Sequence, residues 1–396
     1  MSSTTSETLS PVSETPSPNQ KNYLWISRRM DFWLIGGASM LLWIPIYFLG
    51  KDFEVIYALG LAIPSLAFFL AYLINYPHFM ASYKLAYTQS NHFIVSNWFQ
   101  LIFVPIFLIL LMANSLIYWD SPIKDATFIL TINSLFETIG LDTRFGQYPN
   151  LGSQVMGLMI NLMYFTVGWH YSKQTFGCMM VYAKFDNYRL NNLERNVLRY
   201  ALLSTWWVSW LSSNCSKGTY NFYDLEIYRL NLPYFLFEAS VIICIGLFCW
   251  FFIIISLKYM RTKTPPSLNF LIPIFALWTW HIPLFGNPQF FPIIALFHSL
   301  QYFPFVAKVE STRYRLSQNI KPLKRMGLFF SIMVILGFLS FTYVPDMLDG
   351  LGSTTTTLGV SFFLIAFSAF INIHHYFIDN VLWRFNNKEV RELLFG

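Results

Sequence analysis

Hydrophobic positions in this chain fill long runs instead of recurring at the spacing of a half-buried helix or strand. A helix that crosses a bilayer needs about 20 mostly apolar residues. Ten runs approach that length: 32–50, 55–77, 93–118, 151–183, 197–213, 234–257, 267–285, 289–309, 327–345 and 355–383. The pattern therefore predicts an all-α, polytopic membrane bundle of about ten spans. The fourth and tenth runs are long enough to tilt or to project from the bilayer. A shorter run at 126–133 cannot span and is expected to lie at the interface.

Composition agrees with this pattern. Hydrophobic residues make up 55% of the 396 and charged residues only 12%, about half the charged share of an ordinary soluble domain. The lipid bilayer is thus the first expected partner. Residues 1–30 open on a Ser/Thr/Pro/Glu-rich stretch without the apolar core of a signal peptide, and are expected to form a disordered tail. The bundle is expected over 31–384, with a short tail at 385–396.

Charge sets the expected orientation, because Lys and Arg concentrate on the cytoplasmic side of a membrane protein. With the N-terminus inside and the ten runs alternating, twenty basic residues fall inside and five outside, while Lys173 lies within the fourth run. Both termini are then cytoplasmic, in what is expected to be a bacterial inner membrane. The net charge of +6 is accounted for by these loops, so no nucleic-acid partner is expected. The linker from Lys308 to Arg325 is the densest basic patch and suits anionic headgroups. Cys178, Cys215, Cys244 and Cys249 have no CxxC spacing, so neither a disulfide nor a thiolate metal site is expected.

The seven histidines change the picture more than the charge does. Six fall in the cytoplasmic half of this topology, and spans two, four, eight and ten bring His78, His170, His298, His374 and His375 to comparable depth. Ionisable groups inside a membrane normally face the bundle interior or a wet cavity. Imidazoles with a carboxylate are suitable ligands for iron, zinc or copper. The expected metal ligands are His78, His170, His298, His374, His375 and Asp379. The last shares a helical face with His375, four residues earlier, and can either ligate or orient that ring. His374 points about 100° away from His375. Glu310 is a weaker carboxylate candidate. Tyr302, Gln301 and Lys173 are expected to act on substrate, with Gln174 beside them, and Tyr164 to shape an apolar pocket. His92 and His281 are expected to serve as helix-to-helix hydrogen-bonding partners.

Histidines gathered on the cytoplasmic ends of several spans resemble the membrane non-haem iron enzymes, namely the lipid desaturases and hydroxylases. They are also similar to the bacteriorhodopsin-related-protein-like β-carotene dioxygenases. The desaturase boxes HxxxH and HxxHH are absent here, since Ile371 stands three residues before His374. The resemblance implies iron-dependent oxidation of a hydrophobic small molecule, a lipid or a polyene, with oxygen and an electron donor. Zinc is the alternative metal. A b-type haem protein and a proton- or ion-coupled transporter built on Lys173, His298 and Asp379 are the rival readings.

Overall fold

The computed structural model describes residues 22–42, 65–122, 150–215, 221–281 except 224 and 228, 291–316, 322–352, 361–384 and 387–395, with isolated positions at 62, 131, 134, 135 and 138. These residues are almost entirely helical. Helix α1 (Arg28–Phe32) passes through a π-helical turn, Trp33–Gly37, and is followed by α2 (Asn75–Tyr87), α3 (Asn91–Ser96) and α4 (Val104–Ile117). Then come α5 (Leu151–Phe185), α6 (Asn192–Cys215), a two-residue hairpin of β1 (Asn221–Phe222) and β2 (Leu225–Glu226), α7 (Tyr234–Thr262) and α8 (Leu268–His281). The chain continues with α9 (Phe291–Leu316), α10 (Pro322–Phe338), α11 (Val344–Gly352), α12 (Phe362–Leu382) and α13 (Lys388–Phe395).

Among the described residues, five helical stretches are long and apolar enough to cross a membrane: Phe99–Ile117, α5, α7, Lys324–Leu351 and α12. The fifth, sixth and eighth expected runs coincide with α6, α7 and α9, and the seventh with α8, of which only 14 residues are described. The run at 126–133 lies outside the described residues, apart from 131.

Helix α5 is the axle of the fold. It packs against α4, α6, α8 and α12, while α2 lies against α9, α10 and α12. The N-terminus of α5 approaches α4 so closely that a Cβ on Gly152 would stand 2.2 Å from the Ser115 carbonyl oxygen. A second tight crossing lies at Gly36, where a Cβ would meet Ala276 and the Ile272 carbonyl at 2.9 Å. Helix α12 is fixed at its start by Asp349, whose carboxylate accepts from the amides of Phe363 and Leu364 (2.8 and 3.1 Å). Those amides have no intrahelical acceptor, and an anion beside them also suits the helix dipole.

Three local expectations change. The second expected run, 55–77, is interrupted by a turn over 72–74, and Pro77 sits in the first turn of the new helix α2. Proline is tolerated there because a first-turn N–H has no intrahelical acceptor. The end of the expected N-terminal tail is ordered: Leu24 is buried, and its amide donates to Asp31 at 2.6 Å. The expected C-terminal tail forms α13, whose Val390, Leu393 and Leu394, spaced for one helical face, are buried.

Candidate metal centre

Four helices meet at one buried point. Helix α2 brings His78, α5 brings His170, α9 brings His298, and α12 brings His375 and Asp379. Each of the five is at most 6% exposed. The imidazoles form a closed quartet, with ring centres 4.6 Å apart for His78 and His375, 4.9 Å for His375 and His170, 4.7 Å for His170 and His298, and 5.3 Å for His298 and His78.

The nitrogens are closer still. His78 Nε2 lies 3.1 Å from His375 Nε2, and His170 Nε2 lies 3.1 Å from His298 Nε2. Asp379 Oδ2 stands 3.7 Å from His170 Nε2 and 3.5 Å from His375 Nε2. Neighbouring ligand atoms on one ion, held by bonds of roughly 2.0–2.2 Å, stand about 3 Å apart, so these separations suit a shared ion. Among the described residues two triads satisfy the geometry, His78 with His298 and His375, and His170 with His375 and Asp379. They share His375, so one ion or a close pair fits the space.

The pattern of hydrogen bonds points the same way. His78 Nδ1 lies 2.6 Å from the Asn75 carbonyl, which places the proton on that nitrogen and leaves the Nε2 lone pair facing the quartet. Ser299 Oγ supports the same edge at 2.9 Å from Nδ1. Ser82 Oγ donates to Asp379 Oδ1 at 2.7 Å, with the Tyr302 hydroxyl 2.5 Å from Ser82 Oγ and 3.4 Å from Oδ1. Trp383 Nε1 in turn donates to the Tyr302 oxygen at 3.1 Å. One carboxylate oxygen is thus anchored, while Oδ2 is buried without a hydrogen-bond partner among the described residues. Such a group is costly in an apolar interior, and a cation between Oδ2 and the facing imidazoles would satisfy it.

The other expected site residues stand apart from this point. His374 is turned away: its Nδ1 meets the Tyr83 hydroxyl at 2.8 Å, and its Nε2 lies 3.4 Å from that of Tyr87. The structure therefore removes it from the expected ligand set, because adjacent residues of a helix face different neighbours. Glu310 is buried in a different network, with Lys84 at 2.8 Å and Arg313 at 3.1 Å. Gln301 is committed to structure, donating to the Ile35 carbonyl at 2.8 Å and accepting from Gln174 at 3.0 Å. Lys173 donates to Asn380 at 2.7 Å. Tyr164 lines a separate cavity of about 200 Å³ that also includes His281. His281 is buried with no hydrogen-bond partner among the described residues, and His92 is exposed.

Asn75, Ser82 and Ser299 went unnoticed in the sequence. Asn75 and Ser82 lie three before and four after His78, on its helical face, a spacing that becomes visible only once His78 is known to sit inside a helix. A larger cavity, about 560 Å³, borders the centre at His170, Tyr302 and Asp379. No protein-family model, curated protein or solved structure matches this chain.

Proposed function

We propose that the chain is a membrane oxidoreductase that uses a metal, iron by preference, held by His78, His170, His298, His375 and Asp379 to oxidise a hydrophobic lipid or polyene. In this reading the protein spans the membrane ten times with both termini in the cytoplasm, and the centre lies in the cytoplasmic half. Mixed imidazole and carboxylate ligation with open positions is the arrangement non-haem iron uses for oxygen chemistry. The observation that carries the reading is the convergence of four imidazoles, two of which face a carboxylate oxygen that has no hydrogen-bond partner among the described residues.

The separations also weigh against a haem held between two of these histidines. Axial nitrogens on opposite sides of a haem iron would stand about 4 Å apart at bonds of about 2 Å, with the macrocycle between them. The paired Nε2 atoms are 3.1 Å apart and flanked by two further imidazoles. In the rival transporter reading, the lysine of the relay donates to Asn380.

When bound, iron would supply the activation of dioxygen. The chain's own groups have other roles: Asn75 fixes the tautomer of His78, Ser82 and Tyr302 hold Asp379 in place, and buried aromatic rings such as Phe79 and Tyr171 keep water from the imidazoles. Hydroxylation would place one oxygen atom in a C–H bond and reduce the other to water, with two electrons from a reduced membrane carrier. Desaturation would remove two hydrogens and reduce both oxygen atoms to water with the same electron supply. The test is lipid mass spectrometry of aerated cells producing the wild type or His375→Ala. A lipid that gains one oxygen or loses two hydrogens only with the wild type is expected. Identical lipid profiles in the two strains would contradict the proposal.

A further inference from the structure

The cavity of about 560 Å³ that borders the centre has two unlike sets of lining residues. One set is His170, Tyr302 and Asp379, which belong to the centre or support it; the other is Lys173, Arg199, Arg384 and Arg391. These four cations come from α5, α6, the segment after α12, and α13. Among the described residues, none of the four takes part in an ion pair. Four acidic side chains pair with other cations: Glu194 with Lys258, Asp186 with Arg28, Glu310 with Lys84 and Arg313, and Glu389 with Arg313. Among the described residues Asp379 is the sole carboxylate lining the cavity, and Ser82 holds its Oδ1.

Basic residues at the cytoplasmic ends of spans ordinarily face headgroups around the perimeter. These four instead border one concavity shared with buried histidine and aspartate, between apolar walls that include Phe176, Leu203, Phe305 and Leu394. Its volume lies within the roughly 300–1,000 Å³ of small-molecule sites. Lys173 is three residues from His170, or about 4.5 Å along α5. Charge is therefore available close to His170 as well as on the exposed arginines. Among the four, Lys173 is half-buried, with its ammonium over the Trp169 ring, while the three arginines are exposed.

We propose that this cavity binds an amphiphile with an anionic head, a carboxylate or a phosphate, held by Arg199, Arg384 and Arg391 with its hydrocarbon chain directed toward the histidine centre. Guanidinium groups suit both head types because they bind them in bidentate fashion. The direction of the chain rests on the oxidoreductase reading above; the binding of the anionic head does not. Helix α13 gains a role in this account, since it supplies both Arg391 and an apolar wall of the cavity.

The test uses full-length protein in nanodiscs of neutral phosphatidylcholine, with oleate as the probe and its methyl ester as the uncharged control. Saturable oleate binding is expected, with the ester at least about tenfold weaker, as for the loss of one charge-assisted hydrogen bond. Arg199→Gln with Arg384→Gln should weaken oleate binding by about tenfold or more without moving the thermal midpoint, because both side chains are exposed. Lys173→Met provides a second, independent reduction of charge. His375→Ala should lose metal yet keep oleate affinity, which separates failure of the metal reading from failure of this one. Competition by phosphatidylglycerol would identify a phospholipid head as the natural occupant; its absence alongside tight oleate binding would identify a free acid. Equal binding of acid and ester, or unchanged affinity in the arginine variant, would overturn the proposal.

Discussion

Helices α12 and α7 are both apolar enough to span a membrane, yet they serve opposite purposes. In α12, 67% of the most apolar stretch is buried within the protein, and 61% in α5, against 22% in α7. Helix α7 presents Ile242, Ile243, Ile245 and Ile253 outward and carries no histidine. Helix α12 carries His374, His375 and Asp379 among neighbours on both sides. The bilayer rewards apolarity in both helices, so apolarity alone does not separate them. What distinguishes α12 is that its ionisable groups need partners, which only surrounding helices can supply.

This contrast predicts a descending series of effects. His298→Ala should abolish metal binding, as judged by elemental analysis after Fe(II) loading under exclusion of oxygen, because it empties one corner of the quartet. Ser82→Ala should retain the metal more weakly, by about 10- to 100-fold in chelator competition, since it frees the anchored oxygen of Asp379 without removing a ligand. Tyr83→Phe should leave metal affinity unchanged and lower stability by about 1 kcal/mol, read from the thermal midpoint, because it removes only the hydrogen bond to His374. Ile245→Ala, on the outward face of α7, should change stability by less than about 0.5 kcal/mol and metal binding not at all. A metal loss in the last variant as large as in the first would erase the distinction between the two regions.

The sequence showed the contrast only partly. The limits of α5 and α7 follow from run length, and the four histidine-bearing helices follow from the histidines in their runs. The choice between His374 and His375 did not follow, because α12 is buried on several sides and either imidazole could have faced a helix. Only the tertiary arrangement puts Tyr83 beside one and His78 beside the other. Pro77 hid the start of α2 for a related reason: proline disrupts a helix interior yet is accommodated in a first turn. Ser82 and Ser299 were missed because their partners lie more than 200 positions away in the chain, as with Asp379 and His78.

That adjacent pair in α12 also offers the most direct test. Wild type, His374→Ala and His375→Ala should be purified in parallel, loaded with Fe(II) without oxygen, desalted and assayed for iron per chain. The account predicts stoichiometric iron in wild type and in His374→Ala, and background iron in His375→Ala. Wild-type iron content in His375→Ala, or none in wild type, would contradict it.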